Sequence, residues 1–282
     1  MSAATGNPAV PANQATPAKQ ASLVKQAKKV TKASNGSQGQ AATGQQNPAA
    51  QPTTPRPEAT IQKMILCLPD SLPSEVLTSD YLSQHYGVTG SPTSHFWAVH
   101  NLGRRQRRQM FGLYPTGVPA RCTGGPRQLL DINGLRLAAG AAAGFRHEQW
   151  RAAVRGTKPA RPWVSFHTMH LASPDTYTYQ QAQHDFFAQP RVIAMRMRNA
   201  NNPTGTELRL KDLEAFEAGP GFYQDFCALS AVCADALMTP DLRIFKPASD
   251  AQADRFAYLE RAFPFLHNAA PSLRLFAISV SM

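Results

Sequence analysis

Arg104, Arg105, Arg107 and Arg108 stand within five positions of the stretch NLGRRQRRQMFGLYPTG (101–117), which holds no carboxylate. Guanidinium groups crowded in this way repel one another unless an anion lies between them, and their planar forks of N–H donors suit phosphate oxygens. On a helix, Arg104, Arg107 and Arg108 would share an arc of about 100°, with Arg105 beside them. The chemistry on offer is the holding of a polyanion. A solvated helix face and a nuclear localisation signal are the competing readings of the same letters. Phe96, Trp97, Phe111 and Tyr114 flank the cluster, Arg121 and Arg127 follow it, and Trp150 and Trp163 stand further on. Aromatic rings beside cations stack bases in single-strand binders, and in other proteins simply fill a core.

The charge of the whole chain is segregated. Its net value is +11, yet residues 96–163 hold twelve basic residues against Asp131 and Glu148, and residues 1–60 hold six against Glu58. Residues 61–95 and 164–282 are each slightly acidic. Solubility alone favours interspersed signs, so two basic zones beside a near-neutral remainder point to a polyanionic partner.

Residues 1–60 contain only Met1, Val10, Leu23, Val24 and Val30 as sizeable apolar side chains, and no aromatic. Such a segment cannot bury enough surface to offset the entropy of ordering, and is expected to be a disordered basic arm. Within it, ASLVKQAKKVTKA (21–33) puts Leu23, Ala27 and Val30 on one side of a helix. Lys25, Lys28, Lys29 and Lys32 fall on the other side, placed to meet phosphates. Thirteen residues make a marginal helix in water, so ordering is expected only on contact, the alternative being a flexible basic tail.

From residue 61 onward, helix signals dominate. They lie at 78–87, 145–156, 173–190 with Ser173 as N-cap, 220–238 with a stripe from Phe222 to Leu237, and 249–263 with Ser249 and Gln252 as a capping box. Strand patterns are confined to TIQKMILCL (60–68) and LRLFAISVSM (273–282). The expectation is a mainly α fold: a basic arm over 1–60, a helical RNA-binding domain over 61–272, and an extended apolar tail over 273–282. A terminal apolar strand docks on its own domain or on a neighbour, and the latter would make the tail a joint between subunits.

Enzyme signatures are absent. No GxSxG, GxxxxGK[ST], GxGxxG or HExxH occurs, and the four cysteines form no metal-ligand spacing and no disulfide framework. His167 and His170 are three residues apart but have no third ligand at a usual spacing, so neither a metal nor a cofactor is expected. The glycines of LAAGAAAG (137–144) read as a packing feature. No run is long enough for a membrane span and no signal peptide is seen, which reads as a soluble intracellular protein without a membrane partner.

RRQRR is similar to the arginine-rich RNA-binding segment of the lentiviral Tat protein. On a larger scale, 43 Ala, 23 Pro and 17 Ser, together with size, basicity and layout, resemble the proline-alanine-serine-rich protein of polymycoviruses. That family coats the viral double-stranded RNA in place of a capsid. The layout is also similar to the helical coat proteins of flexuous plant viruses and to bunyavirus-type nucleoproteins. The resemblance implies a non-enzymatic viral coat protein that binds genomic RNA without strong sequence preference and polymerises along it. Its expected place is a virion or viral ribonucleoprotein in the host cytoplasm. The alternative is a non-polymerising nucleic-acid-binding accessory protein, and the strandedness of the RNA stays open. The phosphate contacts read from the residues are Arg104, Arg105, Arg107, Arg108, Arg121 and Arg127, with Lys25, Lys28, Lys29 and Lys32 in the arm. Removing residues 1–60 is expected to weaken RNA binding while far-ultraviolet circular dichroism of the remainder keeps its helical signal; loss of that signal would refute the boundary.

Overall fold

The two runs that read as strands pair with each other. In the computed structural model, which describes residues 59–71, 77–114, 116–203 and 205–280, β1 (Lys63–Leu68) lies antiparallel to β8 (Arg274–Val280). The register runs from Lys63 opposite Ser279 to Leu68 opposite Arg274. Lys25, Lys28, Lys29 and Lys32 lie outside the described residues.

On its other edge β8 pairs with β2 (Gly90–Pro92) and β5 (Gly124–Pro126), both antiparallel, while β1 pairs in parallel with β6 (Ala236–Met238). A short β7 (Ile244–Phe245) follows β6 and completes a mixed sheet. Residues 274–280, expected as an extended tail, are therefore an interior strand of their own sheet. The physical reason is that both edges of β8 find partners inside the chain, which satisfies its backbone groups without a neighbour.

Side chains of the sheet enter two cores. Ile65, Cys67, Leu275 and Ala277 face the helices, whereas Met64, Leu66, Leu68, Phe276 and Ile278 face a smaller cluster closed by Leu82, Val88 and Phe111. Strands buried on both faces read as continuous apolar runs, which is why so little of the sheet announces itself by alternation. Leu82 belongs to α1 (Ser79–Tyr86), which starts on the Thr78 side chain and stops at Gly87 in the left-handed region.

About half of the described residues are helical. The fold is helix-rich, but "mainly α" understates the sheet on which it is built. The longest helix, α3 (Ile132–Ala153), begins thirteen residues before the segment recognised at 145, with Asp131 accepting from Gly134 N at 2.8 Å. It packs on α8 (Pro220–Cys233) across its glycines: a Cβ on Gly140 would lie 3.5 Å from Ala228 Cβ. Helix α8 ends at Ala234, so Leu237, expected on its stripe, is in β6 instead. Phe222 of α8 meets Phe256 of α9 (Gln252–Asn268) with ring centroids 4.8 Å apart. Ser249 does not cap α9 by its backbone position; its hydroxyl donates to Asp254 at 2.5 Å, and Ala251 is the N-cap.

Between α3 and α8 lie α4 (Trp163–Ala172), α5 (Tyr179–Phe187), α6 (Pro190–Asn201) and α7 (Leu213–Glu217). Ser173 ends α4 and does not start α5, because Thr178 supplies the side-chain cap to Gln181 N. The loop leading into α4 is held by a part-buried knot. Arg191 Nη1 donates to Glu217 at 2.8 Å, Arg191 Nη2 donates to Thr157 O at 2.7 Å, and Glu217 also accepts from Ala160 N at 2.8 Å. Among the described residues, no helix is long and apolar enough to cross a membrane.

Gly124 tests the central strand. A Cβ there would lie 1.9 Å from Leu275 O of β8, so Gly124→Ala must push β5 off the sheet. It is expected to lower stability by roughly 1–3 kcal/mol in urea denaturation. Gly221→Ala in α8, where a Cβ meets nothing within 4 Å, serves as the control that should lose no stability.

Candidate nucleic-acid interface

The arginine cluster forms a single exposed turn. Helix α2 (Arg104–Arg107) follows Leu102 and precedes Met110, both buried, so the turn is pinned at each end while its side chains stay in solvent. Gly103 N donates to Gln106 Oε1 at 2.8 Å, and Arg107 Nε to Leu102 O at 3.1 Å. Arg104, Arg105, Arg107 and Arg108 are all exposed, and none has a carboxylate partner among the described residues.

Arg127 is placed differently. Its guanidinium donates to Leu266 O at 3.0 Å and to His267 O, closing the carbonyl end of α9. Carbonyls at a helix C-terminus attract cations, so this arginine acts as a capping group. Arg121 stays exposed on β4 (Arg121–Cys122).

A groove that the arginine turn does not line gathers six further cations. Its middle bay, about 720 Å³, is walled by Lys63, Arg121, Arg146, Arg209, Lys211 and Arg255, against Glu207, Asp212 and Asp235. These residues span nearly 200 positions in the chain. Lys63 shares the strand face of Ile65 and Cys67, so it emerges at the helix-side rim where β1 begins. Arg146 comes from α3, while Lys211 and Arg209 come from the segment before α7, and Arg255 from the first turn of α9.

Two of the carboxylates are already occupied. Asp212 accepts from Arg209 at 2.6 Å, and Asp235 accepts from Lys63 N at 3.0 Å and faces Arg255 at 3.4 Å. Arg146 has neutral company: its Nε donates to Tyr223 Oη at 3.1 Å. Burial raises the Tyr223 hydroxyl and the Cys227 thiol above their ordinary ranges, which keeps both protonated and leaves the Arg146 charge unbalanced. Burial, and then Arg209 and Arg255, lower the ammonium of Lys211 below the usual lysine range. A cation held against other cations in this way gains from an arriving anion.

The groove continues at both ends. One end bay, about 260 Å³, shares Gln62, Lys211 and Arg255 with the middle and adds Trp163 and His167. These two rings, one turn apart on α4, stack with centroids 5.5 Å apart and planes 21° apart. The other end bay, about 440 Å³, shares Ser94 and Arg121 and adds Trp97 and Tyr114. Trp97 of β3 (Phe96–Trp97) is the register partner of Arg121, and Tyr114 bridges Arg121 from the other side. Directly opposed residues project from the same sheet face, so Trp97, Arg121 and Tyr114 form one row. Of the other aromatics in the basic zone, Phe96, Phe111 and Trp150 are buried, with Trp150 stacked on Phe216 at 5.2 Å, while Phe145 is exposed.

His167 and His170 stand with ring centroids 6.3 Å apart, and no group of three or more His, Cys, Asp or Glu among the described residues is placed to hold a metal. All four cysteines are buried free thiols, and burial pushes Cys67 and Cys122 up to about 12.

Among the described residues, Arg121 is thus the one expected contact that lines the groove. Lys63, Arg209, Lys211 and Arg255 lie outside the basic zone, and no local pattern in the sequence marks them. Arg146 lies inside that zone, but nothing local distinguishes it from its neighbours. Comparison with protein-family models, characterised proteins and solved structures finds no match.

His95, also on the middle bay, gives a pH test of this arrangement. Burial and then Lys63 push its pKa down to about 4 from an ordinary 6.5. The unfolded chain therefore takes up a proton between those values that the folded chain refuses. The stabilisation is complete above pH 6.5 and lost as the pH falls through 4, a difference of roughly 3 kcal/mol. Denaturation of the wild type between pH 7 and 4 should fall more steeply than that of His95→Gln; parallel curves would overturn the assignment.

Proposed function

We propose that the protein binds RNA through sequence-independent phosphate contacts and self-associates along it as a coat-type protein, within a virion or viral ribonucleoprotein in the host cytoplasm. The observation that carries this reading is the number of cations without carboxylate partners among the described residues. These are Arg104, Arg105, Arg107 and Arg108 on the exposed turn, and Lys63, Arg121, Arg146 and Lys211 along the groove. No base-reading motif accompanies them, so affinity should come from charge and not from sequence.

Self-association has its own support. Leu137 and Phe145 on α3 are 65% and 64% exposed, two turns apart, with exposed Ala141 between them. Ile193 and Met197 make a similar exposed pair on α6. With β8 committed to its own sheet, these helix faces replace the C-terminal segment as the candidate contact between subunits. Apolar stripes of this kind mark interaction sites on soluble proteins. The lysines of the arm, Lys25, Lys28, Lys29 and Lys32, would add affinity.

The test is fluorescence anisotropy of labelled RNA with the full chain over a salt series. With six to eight phosphate contacts, affinity should drop by about three decades or more between 50 and 200 mM salt. Replacing Arg104, Arg105, Arg107 and Arg108 together by Gln should flatten the log–log slope by about three. In negative-stain microscopy the complexes should lengthen with protein concentration. Salt-insensitive binding, or a nucleic-acid-free monomer at low salt, would overturn the coat reading; tight binding without growth would favour a non-polymerising accessory protein.

A further inference from the structure

We propose that the groove holds one RNA strand unpaired, with phosphates in its middle bay and bases stacked at its two ends. The inference rests on the RNA-binding reading above and adds the state of the RNA. It follows from how charge and aromatic surface are distributed along the groove.

The middle bay carries six cations against three carboxylates, two of which are already bonded. The end bays are different. The one at α4 balances Lys211 and Arg255 against Glu214 and Asp250, and presents the stacked pair Trp163 and His167. The one at β4 has Arg121 as its single charged residue and presents Trp97 and Tyr114 on either side of it in one row. A polyanion without bases would need cations throughout and no rings. A strand whose bases are splayed out needs rings where the charge thins.

Ring accessibility agrees with this. Tyr114 is 57% exposed, so its ring face is open to a partner, and Trp97 and Trp163 are half-buried. His167 has no hydrogen-bond partner among the described residues that would turn its ring away from the bay, and burial, then His170, lower its pKa and favour the neutral form that stacks. Shared walls make the three bays successive, since Lys211 and Arg255 belong to the first and second and Arg121 to the second and third.

A duplex cannot make these contacts. In an A-form helix the bases are stacked within the strands and face each other, and side chains cannot reach them through the deep, narrow groove. A duplex could touch the exposed arginine turn, but Trp163 and Tyr114 would remain bare. Unpaired nucleotides place phosphates and base faces on opposite sides of the chain, which a charged groove with terminal ring platforms can take together.

The experiment uses the full chain with a twelve-nucleotide oligouridylate and, separately, with a perfectly paired RNA duplex of the same length. Binding is followed by anisotropy and by quenching of tryptophan fluorescence. The expected result is at least tenfold tighter binding of the single strand, with quenching only by that strand. Tyr114→Ala and His167→Ala should each weaken the single strand about tenfold and leave the duplex unchanged. Tyr114 lies on the surface, so its variant is expected to fold, and circular dichroism checks both. Equal affinity for the two RNAs, no quenching, and loss of binding only in the arginine-turn variant would overturn the single-strand groove and leave the coat reading standing. No binding of either RNA at low salt would overturn both.

Discussion

Strand β8 is paired along both edges, with β1 on one side and β2 and β5 on the other, and each wall of the groove is set by that ladder. Lys63 reaches the rim because β1 is held in register opposite Ser279. Arg121 and Trp97 take their places because the segment leading to β5 must bring Gly124 against Leu275 with no side chain between them. The backbone approach at Gly124 and the similar one at Gly90, where a Cβ would lie 2.6 Å from Ser279 O, are steric conditions that only glycine meets. Lose that ladder, and the strand segments and the helices that face each other across the groove have no common frame.

The groove also depends on keeping its positive charge unneutralised at a bearable cost. The Arg146 guanidinium packs over the Tyr223 ring at 5.9 Å. Such a contact supports a cation without cancelling its charge. A carboxylate partner would have done the opposite, as it does for Arg191 and Glu217 in the knot that steadies the entrance to α4. The arginine turn of α2 is simpler: solvent screens its members from one another, and their anchoring comes from the buried Leu102 and Met110.

Several elements were legible before the fold was known because their signals are local. Thr78 and Gly87 bracket α1 by capping chemistry, and the apolar runs around β1 and β8 have the length and composition of buried strands. Other readings failed for reasons that are equally physical. Leu237 continues the apolar spacing of α8, but Ala234 turns the backbone and the sheet claims Ala236–Met238. The first half of α3 is so rich in Ala and Gly that it lacks an amphipathic pattern, yet smallness is what lets α8 approach. The last strand read as a tail because its apolar character says that it must be covered and not by what.

By itself the sequence determined that the protein carries an excess of positive charge in two zones, that four arginines crowd one short stretch, and that helices would outnumber strands. These are properties of composition and of neighbours along the chain. Only the tertiary structure decided that Arg127 closes a helix, that Arg121 sits between two rings, and that Lys63, Arg146, Lys211 and Arg255 meet on one groove. Those four are separated by between 44 and 192 positions along the chain, measured from Arg255 to Lys211 and to Lys63. No local propensity acts over such distances; burial of the two faces of one sheet does, and it places the charges as a consequence.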